Sequence, residues 1–550
     1  DTDAEDLDGE PRATVSCGTD GKLPPGNGQD DLLLNVPCAV GGGVYLYRNI
    51  NIIKGGKLTF TDDGSEIHLW AKSILVESDG EILAGTEQAP FGTNKGVLTI
   101  HLYGSDADKE GIECKSPQVT SGVLCGADRT AWQSNGASPV SLPGDVTDNF
   151  YRYMAHDNTG GETGFFGRKV LAVSFGGTIK FFGKKGAKYG GNIPNYDSGT
   201  SWVRLRNDKD VKPEKTLIVL DRPVDWEVGD RIAISSTDYL PGHAEELEIM
   251  KIEGPKKLRV TIIGPITNKP PAGCDKLPLN EANCGLRFHH NGDLYPDKDF
   301  NFNGDAFKRL QLNVKLANGG EDNGKFLAET RAAVALLTRS IRIVSAGDAI
   351  PAEAGRRCKY DCFPPINTDG GGKPTANQYY YGAQTMFRQG IKEVKVQGVE
   401  FYQLGQGGRK GRYPVHMHLL RKTPANTFVK DCSVNESMTR WYTFHGTQGV
   451  TLARNVGFKS IGHGYYLEDG TETDNKLYSN LGIFARAAID NIQNPRKVPG
   501  ILAYTANKVV TTDVPYHSDY AQPTVFWIMN GWNDFEYNMA AGANACGVCY

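Results

Sequence analysis

No run of 18 consecutive apolar residues occurs in the 550-residue chain, so no segment reads as a membrane-spanning helix. Neither sign of charge dominates: 60 lysines and arginines stand against 64 aspartates and glutamates, a net charge of −4. That balance argues against a nucleic-acid partner and against attachment to an anionic membrane surface. Helical periodicity is scarce throughout. No secretory leader is visible; the chain opens on an acidic stretch, Asp1 to Glu10, which reads as a solvated, mature or trimmed end.

Glycine is abundant, at 66 residues, and it separates short runs rich in Val, Ile, Leu, Phe and Tyr. Many short strands joined by glycine turns predict an all-β protein. The length suffices for several large cores. Residues 1–30 read as an acidic, polar N-terminal segment and 31–250 as a glycine-rich β domain. Residues 251–390 read as an insertion-rich β region, and 391–550 as coils of a solenoid.

Eleven cysteines lie mostly in loop-like stretches. Cys17, Cys38, Cys114, Cys125, Cys274, Cys284, Cys358 and Cys362 are disulfide candidates. Cys114/Cys125 and Cys274/Cys284 are spaced to close small loops, which favours an oxidising compartment over reduced, buried thiols. Cys546 and Cys549 form a C-x-x-C without the βαβ context of a thioredoxin-like site. Asn435-Glu436-Ser437 is a glycosylation sequon, meaningful in a eukaryotic source.

The chain repeats itself after residue 390. Asp431 to Gly446 aligns with Asn455 to Gly470 at an offset of 24 residues without a gap, and a partial copy begins near Asn480. A period in the twenties with two or three short strands per copy predicts a parallel β-helix, or β-solenoid, in which stacked coils share one core. This alignment stacks Asp469 on His445, and the preceding segment Pro414–Leu419 places His418 one coil earlier. Val415, Met417 and Leu419 alternate with His416 and His418, so both histidines share the outer strand face. His463 is expected at a preceding corner.

Several imidazoles and a carboxylate in one file suit a divalent metal, zinc or similar, held by His416, His418, His445, His463 and Asp469. They equally suit proton transfer in glycosidic cleavage, with His445, Asp469, Glu468 and Arg412 as catalytic candidates. A polar ladder bonded only to itself is the simpler alternative. The 24-residue alignment sets Glu468 beside Phe444 on the inward face, which fits catalysis badly. A lyase would need a cation and a base at the uronate, drawn from Arg412, Arg440 or His445. Trp441, Tyr465 and Tyr466, with Trp527 and Trp532, could stack on sugar rings or pack in coils. Asp297, Asp299, Asn301, Asn303 and Asp305 resemble half of a calcium loop, but Leu310 replaces its closing glutamate. Asp238, Tyr239, Glu245 and Glu246 read as an exposed loop.

The segments Gly411–His418, Phe444–Thr447 and Ile461–Gly470 are similar to the cell-migration-inducing hyaluronan-binding protein family, which includes a transmembrane hyaluronidase and fibrocystin-like proteins. Ile74–Glu87 and Val224–Tyr239 resemble the glycine-eight domain of that family, and Glu329–Ile341 resembles a linking block. The resemblance runs over roughly 44–550 and implies a right-handed parallel β-helix and an acidic extracellular glycan, such as hyaluronan, as partner. It implies an extracellular or cell-surface location and, less directly, hyaluronidase-like hydrolysis. A non-catalytic surface protein that binds glycan or self-associates, and a metal-dependent polysaccharide lyase, remain open as alternatives.

Overall fold

A computed structural model describes residues 14–104, 166, 169–190, 199–206, 211–254, 258–266, 269–292, 329–359, 362, 381–407, 411–487 and 522–550, with the strand backbones at 300–302 and 305–307. Two compact units emerge: one of residues 1–202 and 336–550, the other of Val203–Ala335.

The larger unit is a parallel β-helix. Three sheets of 11, 9 and 9 strands run its length, and their described pairings are parallel. Each coil contributes one strand to each sheet. Val415–Lys422, Phe428–Lys430 and Ser433–Asn435 form one coil, and Tyr442–Gln448, Thr451–Ala453 and Val456–Ile461 form the next. Ile341–Ser345 pairs with Val97–Leu102 and Glu393–Gln397 pairs with Thr178–Phe182, so the chain leaves the helix after Phe182 and its next strand in the helix is Ile341–Ser345.

Stacking is in register, and it places one aliphatic or aromatic file after another inside. Phe387, Met417, Phe444 and Leu467 are successive partners, as are Val415, Tyr442, Tyr465 and Phe526. All are buried in one continuous core. Parallel coils cannot bury their apolar faces singly, and the stacked arrangement removes them from water together. At the corners, asparagines replace apolar files. Asn455 accepts from the Cys432 amide at 3.0 Å, and Asn480 does the same for Asn455 at 3.1 Å, so turn backbone is satisfied coil by coil.

The observed repeat is 23 residues in all three strands: Lys430 partners Ala453, Ser433 partners Val456, and Phe444 partners Leu467. The 24-residue alignment expected from sequence is therefore one residue too long here. Side chains alternate faces, so a one-residue slip exchanges the inward and outward sets.

Trp441 corrects another expectation. It is fully buried in the core, so it cannot stack on a sugar. Tyr465 is likewise interior, its hydroxyl donating to the Asn455 and Leu481 carbonyls. Asn435 is buried in a strand, which hides the sequon's acceptor amide in the folded chain.

Three disulfides form among the described residues: Cys17–Cys38, Cys274–Cys284 and Cys358–Cys362. Cys114 and Cys125 lie outside the described residues. The smaller unit is a six-stranded sheet with antiparallel hairpins. Glu245 and Glu246 are strand residues there rather than loop residues. Glu245 accepts from the Arg287 and Phe288 amides and pairs with His290, while Glu246 pairs with buried Arg231. Asp238 and Tyr239 do lie on an exposed turn, with Asp238 2.6 Å from His243 Nδ1.

Glycine at 457 and 464 is explained by Trp441, whose ring occupies the space a Cβ would take at either position. Gly457→Ala is therefore expected to cost about 1–3 kcal/mol through overpacking. Adding Trp441→Leu should restore part of that loss in thermal unfolding. A Gly457→Ala variant as stable as the wild type would contradict the packing described.

Candidate functional site

The site is built by two outward-facing files on the 11-stranded sheet. Arg388, His418 and His445 are partners in successive coils. Beside them run Met386, His416, Thr443, Tyr466 and Trp527. Strand pleating aims these side chains away from the core that takes Met417 and Phe444.

Three imidazoles converge. The His416 and His418 rings are 4.8 Å apart between centroids, and those of His418 and His445 are 5.1 Å apart. One ligand nitrogen from each lies within 4.8 Å of the others. His416 Nδ1 donates to the Gly411 carbonyl at 2.9 Å, which fixes the tautomer and leaves Nε2 with its lone pair. His416 Nε2 and His418 Nδ1 are both buried without a hydrogen-bond partner. Buried polar atoms are normally paired, and two orphans side by side point to a missing ligand.

Burial pushes the pKa of both rings well below the ordinary imidazole value. His445 adds to this at His416; His416 and Arg388 add to it at His418. Both rings are thus neutral near neutral pH, the form that binds metal.

Carboxylates close one end of the file. With Leu467 beside Phe444, the residue next to His445 is Glu468, which the shorter repeat turns outward. Glu468 Oε2 lies 3.9 Å from His445 Nδ1 and is itself a buried atom without a hydrogen-bond partner. Asp469 lies beyond, in the turn, with Oδ2 3.3 Å from His445 Nε2. Glu472 accepts from the Gly446 amide at 2.7 Å and from the Asp469 and Gly470 amides. Desolvation, then hydrogen bonding to Asp469, pushes the Glu472 carboxyl up to about 7. Asp469 is also partly desolvated, but bonds from Thr471 and Glu472 outweigh that and hold its pKa low. Glu472 was missed from sequence because it lies in a turn, where no periodicity assigns it a face.

His463 does not join the three imidazoles. It is buried, its Nδ1 accepts from the Thr524 amide at 3.0 Å, and its ring stacks on Trp527 at 4.6 Å. Arg412 is almost buried nearby and contributes positive potential at His416. Arg440 lies between two rings, 3.8 Å from the Tyr466 centroid and 4.6 Å from that of Tyr413. Tyr466 is therefore occupied by Arg440 and the His463 stack, while Trp532 is largely exposed. Of the calcium candidates, Asp297, Asp299 and Asn303 lie outside the described residues. Asn301 and Asp305 are described only as backbone of a small hairpin.

Residues 27–134 match the G8 domain, and residues 380–550 match the CEMIP beta-helix. Communication mutant protein F of Dictyostelium discoideum is 40% identical over 150 residues, 27% of this chain and 13% of that protein. A G8 domain-containing protein of the same organism is 28% identical over 380 residues, 68% of this chain and 18% of that one. Human Fibrocystin-L is 23% identical over 516 residues, covering 91% of this chain and 9% of its own length. The chain thus spans about a tenth to a third of the length of the curated relatives it matches.

The buried imidazoles make stability depend on pH. Unfolded histidines titrate near about 6.5, and the depressed folded values mean that the unfolded chain binds protons first as pH falls. Their contribution is intact above that value and is lost below it. Glu472 acts oppositely, since its raised pKa lets the folded state bind a proton first on descent through about 7. The readout is therefore a difference: His418→Gln should lose less melting temperature than the wild type between about pH 7.5 and about pH 5. Parallel curves would show that His418 is not held neutral by burial.

Proposed function

We propose that this chain, which carries the G8 and CEMIP beta-helix domains, is the glycan-processing part of an extracellular or cell-surface protein, with a divalent-metal site at His416, His418 and His445. The observation that carries the reading is the pair of buried, unpartnered ring nitrogens on His416 and His418, with His445 within reach. Three imidazoles suit zinc or a similar borderline ion, and the carboxylates of Glu468 and Asp469 flank His445 beside them. Such an ion, when bound, would polarise a substrate oxygen or lower the pKa of a bound water.

The chain's own residues supply the rest. The Gly411 carbonyl orients His416, and Asp469 and Glu468 flank His445 on its open side. Glu472, whose carboxyl accepts from the Gly446, Asp469 and Gly470 amides, holds the turn that carries Asp469. Arg388, Arg412 and Arg440 make the opposite side electropositive around His416 and His418. An arginine-rich side facing a carboxylate side favours an acidic polysaccharide, whose uronate would lie toward the arginines. The disulfides favour the oxidising compartment in which such glycans occur.

Two measurements test this reading. Elemental analysis of the purified protein should find a divalent metal whose content drops when His418 and His445 are both replaced by alanine; unchanged content rejects the site. Incubation with uronate polysaccharides should shorten the chains in a metal-dependent way. Shortening without new ultraviolet absorbance indicates hydrolysis, and shortening with unsaturation indicates a lyase. Binding without shortening would leave a glycan-binding protein in place of an enzyme.

A further inference from the structure

A second set of histidines lies on a different sheet of the β-helix, within the region that matches the G8 domain. His68 and His101 project outward from the adjacent strands Glu66–Ala71 and Val97–Leu102. His68 Nε2 lies 3.2 Å from Glu66 Oε2, and His68 Nδ1 lies 3.1 Å from His101 Nε2. The carboxylate accepts, so His68 carries its proton on Nε2 and its lone pair on Nδ1. His101 must then donate through Nε2, which leaves His101 Nδ1 as a bare acceptor. His101 is 1% exposed, and burial pushes its pKa well below the ordinary imidazole value. Its Nδ1 has no hydrogen-bond partner among the described residues.

His101 also lines an open pocket of about 180 Å³. Trp70 stacks flat on His101, with centroids 4.0 Å apart, and its Nε1 is tied to the Ala354 carbonyl at 2.9 Å. Ala349 and Pro351 add apolar wall, while Glu353 and Arg356 stand together at the exposed rim. The pocket thus combines an apolar wall, one fixed acceptor and charged groups at its mouth. A sugar ring matches each part, with a C–H face for the wall, a hydroxyl donor for the imidazole and further hydroxyls for the rim.

We propose that this pocket binds one pyranose ring of a glycan, with a ring hydroxyl donating to His101 Nδ1 in the tautomer set by Glu66 and His68. The site is independent of the three-histidine centre and stands or falls without it. Its role is to hold the glycan, not to cleave it.

Methyl β-glucuronide and methyl N-acetyl-β-glucosaminide, titrated into the full chain and followed by calorimetry and by imidazole nitrogen NMR, are suitable probes. At least one should bind the wild type and shift the unprotonated His101 nitrogen. His101→Phe keeps an aromatic ring on Trp70 and removes the acceptor; it should weaken binding roughly tenfold, the worth of one hydrogen bond. Ala349→Trp, on an exposed loop, fills the pocket without touching the core and should abolish binding. No binding of either glycoside, or binding unaffected by both pocket variants, overturns the proposal.

Discussion

Everything distinctive about this molecule depends on parallel strands pairing in register from one coil to the next. The pairing hides each coil's apolar face against its neighbours. It also makes position within a coil equivalent to position on a surface. Residues far apart in sequence then stand in files about 4.8 Å apart. His418 and His445 are 27 residues apart and yet are direct strand partners. No local motif could bring them together so rigidly, because sheet hydrogen bonds on both sides fix the backbone of each.

The same device explains what the site tolerates. Inward files need close-packed apolar volume, as the fit of Trp441 against Gly457 and Gly464 shows. Outward files carry no such requirement and can hold groups that a core would reject. Two neutral imidazoles with unpartnered nitrogens are costly as structure alone, since a buried orphan polar atom costs about 1–3 kcal/mol. A bound ion would offset that cost, whereas a polar ladder serving only the fold would be expected to pair its members. The asparagine files at the corners are such a ladder: Asn455 and Asn480 bond to one another and to turn backbone.

Much of this was legible in the sequence, for a physical reason. Period-2 alternation around His416 and His418 reports a face directly, because strand geometry leaves no other arrangement. The solenoid itself followed from a repeat in the twenties. The exact step did not, since one residue more or fewer in a turn changes the sequence offset without changing any strand's composition. That single residue decided whether Glu468 faced the core or His445. Trp441 and Tyr465 were equally opaque. Aromatic residues serve cores and sugar platforms alike, and only the neighbouring glycines and the partner file distinguish the two. Glu472 and the Glu66–His68–His101 chain depend on turn geometry and on a pocket wall drawn from residues near 350, neither of which a periodic pattern encodes.

The central claim is that a divalent ion sits on the imidazole file, and X-ray absorption on the zinc-loaded chain tests it most directly. The account predicts nitrogen neighbours at about 2.0–2.1 Å with the scattering of three imidazole rings. It further predicts fewer rings when His416 or His418 is replaced by alanine. A spectrum of oxygen ligands alone, or one unchanged by either replacement, would contradict it.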